Sequence, residues 1–394
     1  MKKNILNVGI NCCGCFNCAN ACPKDAVKMT ANFEGFKYPE VTSKCVDCGI
    51  CLRVCPQMQE LTDSNNLLSF AAVTKDEDIL KNASSGGVFG SIAKFFLSNK
   101  KAYICAATFS NGVVKHIVTN SFEDIKKCQG SKYVQSDLGE CFPTIKKLLK
   151  DGCKVLLCGT PCQVAALYSF LNYRPSNLFT LDLICHGVPS LKFLKMDIEH
   201  YCNDITKLKD LRFRWKNPDH PKSNSVFFLY LNNSYGSKLF SSNYDPYFAS
   251  FMRGDSFRMS CYQCKYANLK RVGDITIGDF DSHKEYPHFH PGEGKSTIII
   301  NTSNGMSLWE QSKNLFDYIE IDLKKEAEVN HQLSHPFGKP AARDYIYIDL
   351  IKMSFSSFRK RYAKPTTKQQ KFLFMLQTRL PYIYKWLITK ILKL

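Results

Sequence analysis

The chain has 394 residues, 44% of them hydrophobic and nineteen of them cysteine, and 53 Lys and Arg against 35 Asp and Glu give a formal charge of +18. Length and apolar content exclude a disordered chain and leave room for two or three domains with buried cores. The charge invites nucleic acid as a partner, yet there is no helix-turn-helix pattern, zinc-finger Cys/His spacing or aromatic ribonucleoprotein motif, so no nucleic-acid recognition is expected. The basic excess reads instead as a solvated surface and as counter-charge for buried anionic groups. Met1 to Ile10 contains two lysines and no apolar stretch long enough for a secretory signal. The expected setting is therefore the reducing cytoplasm, where closely spaced cysteines more often bind metal than form disulfides.

In chain order the first feature is a pair of cysteine runs, "CCGCFNCANACP" from Cys12 to Pro23 and "CVDCGICLRVCP" from Cys45 to Pro56. Cys12, Cys15, Cys18 and Cys22, and again Cys45, Cys48, Cys51 and Cys55, follow C-x2-C-x2-C-x3-C-P, the signature of bacterial two-cluster ferredoxins. Soft thiolates at these intervals let one tight loop wrap three corners of an iron-sulfur cubane, with the fourth ligand supplied by the other run. One [4Fe-4S] cluster is expected on Cys12, Cys15, Cys18 and Cys55, the other on Cys45, Cys48, Cys51 and Cys22. Cys13 fits no ligand position and reads as a bystander. Two zinc sites are the alternative, but zinc motifs usually separate two CxxC pairs by a longer loop. Between the runs, "AVKMTANFEGFKYPEVTSK" fits a short strand-and-turn connection. Residues 1–60 thus read as a ferredoxin-like α+β module that takes up single electrons.

"LTDSNN", Leu61 to Asn66, is a polar linker. After it, apolar runs alternate with helical patterns. "LSFAAVT" predicts a strand, "GGVFGSIAKFFLS" a helix, and "KAYICAATFSNGVVKHIVT" two strands turning at Asn111-Gly112. "SDLGECFPTIKKLLKDG" predicts a helix around Pro143, "KVLLCG" a strand, "CQVAALYSFL" a helix, "LFTLDLIC" a strand, and "PSLKFLKMDIEHY" a helix opened by Pro189. Strand followed by helix implies an α/β layer on a largely parallel sheet, with ligands in the turns at the strands' carboxyl ends. Leu211 to Leu239 alternates apolar and polar residues, predicting an antiparallel β extension turning at "NNSYGS". "SHPFGKPAARDY", Ser334 to Tyr345, reads as a loop.

Three turns carry unusual chemistry. "NASSGGVFG" puts two glycines at a helix start, where free N–H groups favour a phosphate. "CGTPCQVAAL" places Cys162 at a strand-to-helix turn, and "LICHGVPS" places Cys185 at the end of the next strand. "SCYQCK" adds Cys261 and Cys264. In order, "SSGGVFG", "QGSKYVQSD", "CGTPCQVAAL", "LICHGVPS", "SCYQCKYA" and "DITIGDF" resemble the coenzyme F420 hydrogenase/dehydrogenase beta-subunit family over Leu67 to Thr302, with the cysteine-run module fused in front.

The resemblance implies a third [4Fe-4S] cluster on Cys162, Cys185, Cys261 and Cys264, beside FAD. It implies flavin contacts from Ser84, Ser85, Gly86 and Gly87 and from Gly130, Ser131, Lys132, Tyr133 and Ser136, with Lys132 as a cation for the pyrophosphate or the reduced ring. Gly278 and Asp279 are implied on the ring's opposite side. The expected division is 1–60 for the ferredoxin-type module, 67–200 for the family's α/β flavin-binding part, 201–330 for its C-terminal part and 331–394 for a basic amphipathic tail. Asp281 stands where many relatives have tryptophan, and His283, His288 and His290 nearby are weighed as proton donors against ordinary loop histidines.

Two functions follow as expectations. The first is a flavin and iron-sulfur oxidoreductase that passes electrons from a low-potential donor such as ferredoxin to a small organic acceptor, with polysaccharide biosynthesis as the implied context. The second is an electron-transfer beta subunit of a multisubunit hydrogenase or dehydrogenase. The tail, with Ile383, Trp386, Leu387 and Ile391 among lysines, is too interrupted to span a membrane. It suits either peripheral contact at the membrane's inner face or packing on protein.

Overall fold

The computed structural model describes residues 4–60, 68–216, 227–234 and 236–363. The linker at Leu61–Asn66 and the tail positions beyond residue 363 lie outside the described residues.

The two cysteine runs fold alike although their filler residues differ. Each contains a one-turn helix, Asn17–Asn20 and Ile50–Arg53. In each, the residue after the second cysteine takes a positive φ, Phe16 at 67° and Gly49 at 75°, as does the residue before it, Gly14 at 70° and Asp47 at 51°. The left-handed turns recur because the spacing of the cysteines recurs, even where a bulky Phe must accept an unfavourable φ. Between the runs, β1 (Val27–Ala31) and β2 (Lys37–Val41) form an antiparallel hairpin in the register Val27↔Val41 to Ala31↔Lys37.

The core is built on β3 (Leu68–Thr74), β4 (Ala102–Ser110), β5 (Val113–Thr119), β6 (Lys154–Gly159) and β7 (Leu178–Leu183). A separate antiparallel sheet follows, made of β8 (Asp210–Arg212), β9 (Phe228–Asn233) and β10 (Gly236–Ser241) in the order β10-β9-β8. With β11 (Ile275–Asp279), β12 (Ser296–Ile300) and β13 (Phe316–Glu320), the main sheet has eight strands in the order β13-β3-β12-β11-β7-β6-β4-β5. Parallel pairing is confined to β4-β6-β7-β11; the other neighbours are antiparallel. The sheet is therefore mixed rather than largely parallel. Parallel neighbours need a crossover, supplied here by helices such as Cys141–Lys150 and Pro161–Leu171, whereas β4 and β5 meet through the tight turn Asn111-Gly112, with φ of 51° and 71°.

Local chemistry explains the helix starts. Thr160 and Gln163 form a reciprocal capping box on Pro161–Leu171, which fixes the turn carrying Cys162. Helix Leu191–Cys202 begins one residue after Ser190, whose hydroxyl accepts from Phe193 N–H at 3.2 Å, so Pro189 precedes the helix rather than opening it. Pro143 is tolerated in the first turn of Cys141–Lys150, where its missing N–H is not needed.

The N-terminal module is fastened to the core by buried polar contacts. Arg258, 1% exposed, donates to Cys12 O (2.5 Å), Lys37 O (2.9 Å) and Gln135 Oε1 (3.1 Å). Arg343 makes a two-pronged ion pair with Glu34, at 2.7 and 2.6 Å. Asn17, fully buried, donates to Val54 O and Ala166 O, both at 2.7 Å.

Candidate functional site

A cavity of about 420 Å³ lies where the parallel strands end, lined by Ala106 of β4, Gly159 of β6, Leu183 of β7 and Gly278 of β11. This is the crevice in which open α/β sheets bind ligands, and its volume falls in the ordinary range for small-molecule sites.

One wall comes from two loops tied together: Ser131 N–H donates to Ser84 Oγ at 2.8 Å. Ser84, Ser85, Gly87, Gly130, Ser131, Lys132, Tyr133 and Ser136 all line the cavity; Gly86 does not. A Cβ on Gly86 would lie 2.2 Å from Ala72 O and 2.8 Å from Ser296 N, so this glycine lets the loop sit on the sheet. Gly87, at φ +79°, caps the helix Val88–Leu97.

Lys132 lines the cavity with its ammonium already engaged by the backbone. Its ammonium donates to four carbonyls, Lys127 O (3.1 Å), Cys128 O (2.7 Å), Gln129 O (2.8 Å) and Gly130 O (3.1 Å). It closes the end of helix Phe122–Cys128, and its three protons are already shared among those acceptors. Burial lowers its pKa to about 8. A cation that sequence reasoning missed, Lys216, underpins the Ser84-Ser85 loop from behind, donating to Leu80 O (2.8 Å) and Ser85 O (3.2 Å). Burial likewise lowers its pKa to about 8. Nothing in the local pattern around "FRWK" marks it, because its partners lie more than a hundred residues away.

On the far wall, Asp279 accepts from Arg214 at 2.5 Å, and the same guanidinium reaches Tyr133 OH at 3.4 Å. The Tyr133 ring stacks on Phe251 with centroids 4.3 Å apart. Gly278 is required by the next strand, since a Cβ would meet Ile184 Cδ1 at 2.5 Å. Asp281 also lines the cavity while its side chain keeps access to solvent, and partial desolvation and then the charge of Asp279 raise its pKa to about 6. His283, His288 and His290 do not line it, and His290 is held by Glu293 at 2.6 Å. The histidines in the cavity wall are His116 and His186, contributed by strand and strand-end positions rather than by the histidine-rich loop. His186 lies within the quoted motif "LICHGVPS", so its neighbour Cys185 was the available signal.

Cys162, Cys185, Cys261 and Cys264, from three separated segments, all line one cavity. Burial raises the Cys185 thiol to about 12 and raises Cys261 and Cys264 as well. Such thiols ionise when a cation takes their place beside the sulfurs, which is the chemistry of an iron-binding set. In the N-terminal module, Cys22, Cys45, Cys48 and Cys51 line a second, smaller pocket. Cys12, Cys15, Cys18 and Cys55 are all buried, and Cys12, Cys55 and Cys51 lie close enough to Cys18 to raise its pKa after burial has done so. Backbone N–H groups point at sulfur in both runs: Gly14 N to Cys12 Sγ at 3.4 Å, Ala26 N to Cys22 Sγ at 3.3 Å and Asp47 N to Cys45 Sγ at 3.4 Å. Among the described residues no three His, Cys, Asp or Glu side chains close on a point fit for a single metal ion. Cys22, Cys45, Cys48 and Cys51, and likewise Cys162, Cys185, Cys261 and Cys264, line pockets instead, an arrangement with room for a cluster of several irons. Cys13, which has no ligand position in the run, lines the large cavity and packs with Cys162 against the cluster that contains Cys15.

Residues 69–142 match the family model for the N-terminal part of the coenzyme F420 hydrogenase/dehydrogenase beta subunit, and residues 152–324 match the model for its C terminus. The chain belongs to this family. Membership in the coenzyme F420 hydrogenase/dehydrogenase beta-subunit family implies an oxidoreductase-type role in electron transfer, and it favours the second of the two expectations above. The chain is also similar to a chain of the F420-reducing [NiFe] hydrogenase complex from Methanosarcina barkeri, solved in a xenon derivatization study. The identity is 20%, the match covers 69% of this chain and 91% of that one, and the TM-score is 0.47. The comparison with curated proteins returns no match. Among the described residues no helix is long and apolar enough to cross a membrane.

Proposed function

We propose that this chain is an electron-transfer subunit of a hydrogenase- or dehydrogenase-type assembly. Two [4Fe-4S] clusters would be held in residues 1–60, a third by Cys162, Cys185, Cys261 and Cys264, and FAD in the cavity. The observation that carries this reading is the meeting of four cysteines from three segments in one cavity, which Cys13 of the N-terminal module also lines. When bound, such clusters supply single electrons and a flavin exchanges them for a hydride. The chain's own residues hold and shield. Ser84 and Ser131 lock the two loops together, Lys216 sets a buried positive charge behind them, and the Arg214–Asp279 pair braces the opposite wall.

Asp281, in the cavity wall, is the candidate to hold a proton for an organic acceptor, since the neighbouring Asp279 carboxylate favours its protonated form. The low-potential donor, ferredoxin being one of suitable chemistry, would approach the open end of the N-terminal module, and a larger catalytic chain would receive or supply electrons at the cavity. An independent reductase of a polysaccharide-pathway metabolite draws less support, because the family description is that of a subunit.

The test is iron, acid-labile sulfide and flavin per chain after anaerobic reconstitution, for the native protein and a Cys162→Ser, Cys185→Ser double variant. About twelve irons falling to about eight, with about one FAD per native chain, is expected. Iron near eight in both proteins with no flavin retained overturns the reading. Comigration of the native chain with a larger catalytic chain then separates the subunit from the independent reductase.

A further inference from the structure

Cys13 sits between two groups of cysteines that are far apart in sequence. Its backbone is held on both sides. Gln135 Nε2 donates to Cys13 O at 3.0 Å, and Arg258 Nε donates to Cys12 O at 2.5 Å while its Nη1 reaches Gln135 Oε1 at 3.1 Å. The next residue has no room to move away: a Cβ on Gly14 would meet Gln135 Nε2 at 2.7 Å and Arg258 Nη1 at 3.0 Å. This clamp sends neighbouring side chains in different directions. Cys12 packs with Cys18, Cys51 and Cys55 inside the N-terminal module. Cys13 turns toward the core, lines the large cavity together with Gln57 and Cys162, and packs with Cys162 against the apolar cluster that contains Cys15.

We infer that Cys13 is a positioning residue between two iron-sulfur sites, a free thiol whose S–H hydrogen-bonds to a ligand sulfur of either the Cys12/Cys15/Cys18/Cys55 group or the Cys162/Cys185/Cys261/Cys264 group. The inference rests on the cluster assignments proposed above. A thiol has one proton, and once Cys15 and Cys162 are thiolate ligands it has two acceptors, so it serves one at a time. A hydrogen bond to a ligand sulfur stabilises the more negative, reduced state and raises the reduction potential of that site. Cys13 thereby sets the relative potentials of the two sites beside it, and its thiol does not line the pocket of the Cys22/Cys45/Cys48/Cys51 group.

The test uses the full reconstituted chain and its Cys13→Ala and Cys13→Ser variants, each assayed for iron and then titrated potentiometrically under anaerobic conditions with EPR detection. All three proteins should hold the same iron. Cys13→Ala should lower the potential of at least one of the two sites by about tenfold in its electron-sharing equilibrium, about 59 mV for a one-electron couple. The Cys22/Cys45/Cys48/Cys51 site should stay where it is, and Cys13→Ser, which keeps an O–H donor, should shift less than Cys13→Ala. A loss of about four irons in Cys13→Ala would make Cys13 a ligand and overturn the inference. Unchanged potentials, or a serine variant displaced as far as the alanine one, would overturn it too. Native protein that fails to take up iron in the first place is a failure of the cluster assignments, recognisable before any variant is compared.

Discussion

The two cysteine groups of the N-terminal module share one spacing and one backbone path, yet they face different surroundings. Cys12, Cys15, Cys18 and Cys55 are each at most 8% exposed. In the other group Cys48 is exposed and Cys22 and Cys45 are half-buried. The difference does not come from the runs themselves. It comes from the core, which meets the first group through Arg258 on Cys12 O and Ala166 O on Asn17 and leaves Cys48 of the second exposed. A repeated motif has thus become an inner group and an outer one, and the asymmetry gives the module a direction, outer group toward solvent and inner group toward the core.

Breaking the seam should break that asymmetry. Arg343 is 3% exposed and reaches Glu34 across 309 residues of sequence. Its replacement in Arg343→Met strands a buried carboxylate, a loss of about 3–5 kcal/mol. The expected outcome is a lower melting temperature and faster proteolytic release of the N-terminal module; a further Glu34→Gln change should recover part of the loss, which a double-mutant cycle would measure. Asn17→Ala should act in the same direction with less force. It leaves the carbonyls of Val54 and Ala166 without their shared donor, at about 1–3 kcal/mol, read by denaturant melting.

How much of this was legible in the sequence depends on the range of each interaction. Strands β3, β4, β6 and β7 and the turn at Asn111-Gly112 follow from local alternation and turn chemistry, and lie where those signals put them. The shared backbone path of the two cysteine runs was legible because their spacing is local. The mixed character of the sheet was not, since strand direction depends on how β11, β12, β3 and β13 connect across the fold and not on their own residues. The four carbonyls that hold Lys132 were not legible, because backbone acceptors carry no side-chain signature. Cys13 looked idle because its partner Cys162 is 149 positions away and the ferredoxin spacing has no place for it. His186, by contrast, stood beside a cysteine already singled out, and the histidine-rich loop drew attention away from it.

Metal removal sharpens the comparison between the inner and outer sites. A chelator presented to the reduced, loaded chain should take iron in two phases, the faster one drawing about four irons from the group containing the exposed Cys48. If local opening of the inner site costs only about 1.4 kcal/mol more, the two phases differ about tenfold in rate. Iron release with EPR detection checks this, and Arg343→Met should bring the two rates together.

The smallest effect serves as a control on the core alone. Asp197 and Asp245, 1% and 0% exposed, lie together, one in helix Leu191–Cys202 and the other capping helix Pro246–Met252. Burial and then the charge of Asp245 hold the Asp197 pKa well above its ordinary 3.8, and burial raises that of Asp245 too, so Asp197 keeps its proton and shares it with Asp245. The sign follows from proton counting. Above pH 3.8 the unfolded chain releases a proton that the folded chain retains, so stability is greatest below that pH and declines as pH rises toward the folded-state pKa, by at most about 1.4 kcal/mol per pH unit for the one group. Asp197→Asn keeps a donor toward Asp245 but removes this titration. Core melting should therefore become flatter with pH in the variant, while the ratio of the two iron-release rates stays unchanged; a pH slope identical to that of the native chain would mean that Asp197 is not the group holding the proton.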